Sequence, residues 1–187
     1  MNQKPIKLFL VRHGEAAAHW GEDSDPGLSD LGYQQASHAS AALLGLVDTE
    51  TRLISSPMLR ARQTSEPLAV ALGASVEIDH CFREIQAPVG LKDRPEWIKK
   101  FMQEEWVSQS ESLLDWRADA MEKLLEFGGC TVIFTHFMIL NAVVGQLLGC
   151  QKTLYFRPSN ASITQLERVG NTLRLTSLGD VLETVVN

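Results

Sequence analysis

Arg12, His13 and Gly14 stand side by side, and their residue types suit one kind of chemistry, the handling of a phosphoryl group. A neutral imidazole nitrogen is a competent nucleophile and can carry phosphorus covalently. A guanidinium offers a planar fork that matches phosphate oxygens. The same two types recur at Arg60 and at His136. Cationic neighbours disfavour protonation of an imidazole and so keep it nucleophilic. A second histidine can donate hydrogen bonds to oxygens as charge shifts onto them in a transition state. Gly14, lacking a side chain, would let backbone approach the reacting group closely. A proton for the leaving oxygen is still needed, and Glu84 is the candidate general acid.

These residues lie far apart in the chain, so regular elements must gather them. Ile6–Val11 is a short apolar run that reads as a buried strand, and Arg12-His13 follows it directly. Leu53–Ser55 reads as a second strand. Pro57 then takes a first-turn position in a helix that runs to about Leu72 and closes at Gly73, with Arg60 in its first turns. Val76–Ile78 is a third strand, upstream of Glu84, and Gln86–Gly90 is loop-like. Thr131–Thr135 is a β-branched strand ending at His136. A helix from there to Leu148 stops at Gly149. Ser29, after a turn at Asp23–Gly27, is expected to cap a helix reaching about Val47. Two further helices are predicted, Arg94–Trp106 and Glu111–Phe127, the second ended by Gly128 and Gly129. Ser162–Glu167 and Thr172–Ser177 form a closing strand pair around Val169-Gly170-Asn171. This alternation argues for an α/β layer fold with a largely parallel sheet. Ligands of such sheets bind beyond the carboxyl ends of the strands, so the candidate residues become neighbours in space.

Longer matches give the pattern a family likeness. Leu8-Phe9-Leu10-Val11-Arg12-His13-Gly14-Glu15 resembles the signature strand and nucleophile loop of the histidine phosphatase superfamily, the phosphoglycerate-mutase-like fold. Leu28-Ser29-Asp30-Leu31-Gly32-Tyr33-Gln34-Gln35-Ala36 resembles its L-[ST]-x-x-G-x-x-Q-A helix start, and Ser55–Thr64 its S-S-P-x-x-R-A-x-Q-T segment. Phe82-Arg83-Glu84, Val132–His136 and Asn160-Ala161-Ser162-Ile163 are similar to its later segments, so the likeness covers nearly the whole chain. It implies a three-layer α/β/α sandwich, in a single domain over 1–187, with a helical lid or insert around 88–127. It further implies a phosphate pocket of Arg12, Arg60, His13 and His136, phosphorylation of His13, and Glu84 acting as acid and then as base for water. The motif selects Arg60 rather than Arg62, and the two sit about 200° apart around a helix.

The chain also departs from the family pattern. Ala16 and His19 stand where the family often has a hydroxyl residue and an asparagine. Phe137 and Met138 stand where it has two glycines, and Ile85–Gly90 lacks its glycine-aromatic-glycine pattern. His19 and Phe137 therefore join Gly14 as candidate substrate contacts. His38 reads as exposed. The pair His80-Cys81 lacks the further ligands of a zinc site. Trp97, Trp106 and Trp116 read as core or lid packing, Arg157 as a surface residue, and Trp20 as a residue of the early loop near the mouth.

Composition excludes several classes. At 187 residues the chain is long enough to bury about 70% of its unfolded surface without staples. Its three cysteines are odd in number and unpaired by any C-x-x-C spacing, which reads as reduced thiols in a cytoplasmic protein. No apolar run reaches the ~18 residues of a membrane span, and Met1–Lys7 holds no signal-peptide core. A net charge of -6 without a basic cluster argues against nucleic acid as a partner. The expected ligand is a small phosphorylated substrate or inorganic phosphate, with no cofactor and no metal; a homodimer stays open. Family mutases carry a longer, more basic insert before the second histidine, so hydrolysis is favoured over mutase chemistry. A catalytically silent phosphate binder is a third reading. Met102, Phe101, Trp97 and Trp106 would suit a partly apolar ester, and an α-ribazole-phosphate-like or broad-specificity phosphatase fits.

Overall fold

Side chains alternate along the first strand, and both faces are buried: Leu8 and Leu10 enter one apolar cluster, Phe9 and Val11 another. Such a strand must lie inside a sheet covered on both sides. The computed structural model, which describes residues 4–19 and 21–181, shows this arrangement. Its strands are β1 (Ile6–Arg12), β2 (Arg52–Ser55), β3 (Val76–Ile78), β4 (Thr131–Thr135), β5 (Ile163–Val169) and β6 (Thr172–Ser177). They line up in the order β3-β2-β4-β1-β5-β6. The pairs from β3 through β1 are parallel, and β5 and β6 add antiparallel pairs at one edge.

Helices α1 (Asp30–Leu44) and α2 (Leu59–Leu72) cover one face through Ala39, Leu43 and Leu68, packed on Phe9, Val11, Leu53 and Phe134. Helices α4 (Glu111–Glu126) and α5 (Phe137–Leu147) cover the other through Ala120, Leu124, Ile139 and Val143, packed on Leu8, Leu10, Ile54 and Ile133. The three-layer sandwich follows from those two faces. Ser29 caps α1 by accepting from the Gly32 amide at 3.0 Å, and Gly73 ends α2 at φ 62, where a side chain would be strained.

Several predicted boundaries move, each for an identifiable reason. Pro57 does not open α2. The helix starts at Leu59, whose amide is capped from a distant loop by Asp25 Oδ1 at 2.9 Å. Helix α3 (Arg94–Phe101) stops short of Trp106 because segment 151–153 competes for its end. Thr153 Oγ1 donates to the Phe101 carbonyl, and the Trp106 amide donates to the Gln151 carbonyl at 2.9 Å. Phe127, extended and 1% exposed, ends α4 by turning into the core ahead of Gly128. Of the segment 88–127, only the α3 half reaches the candidate site, because α4 is a layer of the sandwich. Phe101 and Trp106 are buried with Ile85, Met138 and Ala142, beneath the site rather than in it. Trp20 lies outside the described residues.

Among the described residues no helix is long and apolar enough to cross a membrane. Cys81, Cys130 and Cys150 are free thiols.

Candidate active site

Strands β2, β4 and β1 are adjacent and parallel, so their carboxyl ends open on one side of the sheet. The ladder continues past the strands into the site. The His13 amide donates to the Thr135 carbonyl at 2.9 Å, and the Ser56 amide donates to the Phe134 carbonyl at 2.9 Å. His13, Ser56 and His136 thus leave the sheet side by side. The His13 and His136 rings lie 5.2 Å apart between centroids.

His13 is fixed at both nitrogens. Nδ1 donates to the Gly14 carbonyl at 2.6 Å, which makes Nε2 the nitrogen with the lone pair, and that lone pair accepts from Arg60 Nε at 3.1 Å. His136 Nε2 pairs with Ser56 Oγ at 2.7 Å, while its Nδ1 is buried without a hydrogen-bond partner among the described residues. Arg12 donates from Nη1 to the Pro158 carbonyl at 2.7 Å and rests over the Phe137 ring at 5.1 Å. Its Nε has no partner among the described residues either. Glu84 accepts from the Met138 amide, in the first turn of α5, at 3.2 Å and from the Ile85 amide at 3.1 Å.

Burial governs the charges here. His13 is held well below the usual imidazole pKa, first by burial and then by the charges of Arg60 and Arg12. His136 is lowered in the same way, by burial and then by Arg60. Burial also pushes the Arg12 guanidinium down to about 10, with Glu84 opposing it and Arg60 adding to it. Glu84 is raised, because burial outweighs the pull of Arg60 and the two amide donors. The cluster therefore biases two imidazoles toward their neutral forms and one carboxyl toward its protonated form, beside two guanidinium groups.

Arg12, His13, Arg60, Glu84, His19 and Phe137 all line one cavity of about 650 Å³. Of the two arginines that start α2, Arg60 is 4% exposed and lines the cavity, whereas Arg62 faces solvent. His19 is exposed, on the outer wall. Gly14 is a correction. It does not line the cavity, because its amide donates to Thr64 Oγ1 at 3.0 Å and its face is pressed on α1. A Cβ there would sit 2.5 Å from the Gly32 carbonyl oxygen, so the glycine serves close packing of the nucleophile loop. Ser56, Thr64, Asp25 and the Pro158 carbonyl were not singled out from sequence. Ser56 was legible in principle, since it follows β2 as His13 follows β1. Among the described residues, no three His, Cys, Asp or Glu side chains are grouped to hold a metal ion.

The match that decides the family runs from residue 8 to 181, against the model of the histidine phosphatase superfamily, branch 1. The chain belongs to the histidine phosphatase superfamily. Among curated members of related sequence is a probable phosphoglycerate mutase GpmB of Erwinia tasmaniensis, 29% identical over 87% of this chain and 85% of the relative. A similarly named protein of Yersinia pestis is 27% identical over 77% of this chain and 75% of its own. Among solved structures, a phosphoserine phosphatase from Entamoeba histolytica, in complex with 3-phosphoglyceric acid, superposes with a TM-score of 0.76. It is 25% identical over 94% of this chain and 98% of its own. A mycobacterial glucosyl-3-phosphoglycerate phosphatase shares the superfamily fold at a TM-score of 0.67 and 21% identity, over 92% of this chain and 98% of its own.

Proposed function

We propose that this member of the superfamily is a phosphatase that hydrolyses a phosphate monoester through a phosphohistidine on His13. The carrying observation is the state of the His13 ring: Nδ1 is committed to the Gly14 carbonyl, so Nε2 holds the reactive lone pair at a site whose charges keep it unprotonated, and Arg60, which donates to that lone pair here, releases it on turning to the bound phosphate. A monoester dianion bound between Arg12 and Arg60 brings its phosphorus to that lone pair. The N–P bond forms as the ester P–O bond breaks. Glu84, protonated at the start, gives its proton to the leaving oxygen, and the alcohol departs. Water then gives its proton to Glu84 and its oxygen to phosphorus. The N–P bond breaks, and phosphate leaves with Glu84 reprotonated. His136, fully buried 5.2 Å from the His13 ring and not itself lining the cavity, would serve the same oxygens from behind: with the Ser56 hydroxyl donating to Nε2, its Nδ1, without a partner among the described residues, carries the proton. Each step uses side chains alone, without a metal or cofactor.

The names of the curated relatives favour a second reading, transfer of the phosphoryl group to a second hydroxyl in place of water. Both readings share the first half-reaction. A panel of phosphate esters with wild type and His13→Ala separates them. Release of inorganic phosphate, lost by at least about a thousandfold in the variant, supports the phosphatase. Transfer to a phosphoglycerate hydroxyl without phosphate release supports the mutase. Unchanged hydrolysis by His13→Ala rejects the nucleophile. A phospho-protein that is labile in acid and absent from the variant is the expected trapped intermediate.

A further inference from the structure

Beside its phosphate cluster the cavity carries an apolar wall, along with the polar residues Glu15, His19, Ser29 and Asn160. That wall runs along Ile98 of α3 and Met102, the capping residue one turn on at the end of the same helix, along Phe137 at the start of α5, and past Ala16 and Ala17. From this division we propose that the organic part of the substrate is an aromatic or similarly apolar group, seated against Ile98, Met102 and Phe137. The inference rests on the phosphate-ester reading above and names its substrate class.

Four observations carry it. A cavity of about 650 Å³ has room for a group well beyond a phosphate, within the usual range for a small organic ligand. Phe137 and Met138 are the two bulky residues at the head of α5, and they divide their roles. Met138 is 1% exposed and belongs to the core with Phe101 and Trp106, whereas Phe137 stays half-buried, with one face under Arg12. Phe137 therefore forms wall rather than core, and its position beside Arg12 places that wall where the ester oxygen meets the organic group. Past Arg12 and Arg60, the remaining arginine along the cavity is Arg157, exposed at the rim. A smaller cleft of about 190 Å³ continues beyond Glu84. It does hold Arg83 and Arg94, but Asp23 and Asp25 match them, and the remaining arginine on its wall, Arg60, is the one already assigned to the phosphate.

Calorimetry with phosphonates, which cannot be hydrolysed, tests the proposal without relying on turnover. The probes are 1-naphthylmethylphosphonate, 2-carboxyethylphosphonate and methylphosphonate. Withdrawing about 100 Å² of apolar surface from water is worth roughly 30- to 100-fold in affinity, so the naphthyl compound should bind that much more tightly than methylphosphonate. The carboxylate compound should gain less than about threefold. The double substitution Ile98→Ser with Met102→Ser should remove most of the naphthyl preference, and Phe137→Gly should do so if the double variant fails to fold. Tighter binding of the carboxylate than of the naphthyl compound overturns the proposal. So does a naphthyl preference that survives these substitutions, or failure of all three probes to bind. An apolar preference in a protein that shows no turnover would support the substrate class while rejecting hydrolysis, so the two failures are distinct.

Discussion

One hydrogen bond decides which nitrogen of His13 can react. With Nδ1 donating to its neighbour's carbonyl, Nε2 is both unprotonated and aimed at the cavity. The pKa directions at the site then set a pH window. His13 is lowered, so protonation removes the nucleophile only at a pH below the ordinary imidazole value. Glu84 is raised, so the proton it must give is retained to a pH above the ordinary carboxylate value. Activity toward esters with poor leaving groups should pass through a maximum between the two ionisations. It should fall on the acid side as His13 protonates and on the basic side as Glu84 ionises. Aryl esters, whose leaving oxygens need no proton, should lose only the acid limb. Glu84→Gln should slow poor leaving groups by about 10²–10⁴-fold and aryl esters far less. Paired pH–rate profiles for the two ester classes check both statements, and equal slowing of both classes would remove Glu84 from the acid role.

At the scale of elements, the site depends on a close approach that only glycine permits. A Cβ on Gly32, in the first turn of α1, would stand 2.2 Å from the Glu15 carbonyl oxygen, and one on Gly14 would meet Gly32 in turn. The nucleophile loop and the helix start are locked together there, with Ser29 donating to Glu15 Oε1 at 2.7 Å. Gly32→Ala should destabilise the fold by about 1–3 kcal/mol and lower turnover as well, because the clash pushes the loop that carries His13. Thermal unfolding beside kcat measures the two effects, and an alanine variant of wild-type stability and rate would contradict the packing argument. This contact also marks where sequence reading succeeds and where it stops. The strands ending at Arg12, Ser55 and Thr135 were legible because burial on both faces leaves continuous apolar runs, and Ser29 because capping is local chemistry. The role of Gly14 was not, since its meaning depends on Gly32 across a tertiary contact. The ends of α2 and α3 were missed for the same reason, each being set by a partner distant in sequence, Asp25 and Thr153.

The whole molecule carries a net charge of -6, yet its sheet gathers half-buried Arg12 and buried Arg60 into one cluster, in which Arg12 Nε has no partner among the described residues. Three segments meet there: the end of β1, the first turn of α2 and the junction of β4 with α5. An anion bound at that point ties them together, and it binds the folded chain alone, because the unfolded chain has no cluster. Binding of this kind stabilises by mass action, about 2.7 kcal/mol at a hundred times the dissociation constant. In a chain of this length each kcal/mol raises Tm by about 2–4 °C. Saturating vanadate, a phosphate mimic, should therefore raise Tm by about 5–10 °C. Arg60→Met removes the donor to His13 and half of the cationic pair, so its shift should shrink to within a degree or two. Substituting Arg62, which lies on the solvent face of the same helix, should leave the full shift in place. Scanning fluorimetry across a vanadate titration reads all three proteins. An equal shift in Arg60→Met would place the anion elsewhere on the surface, and with it the reaction.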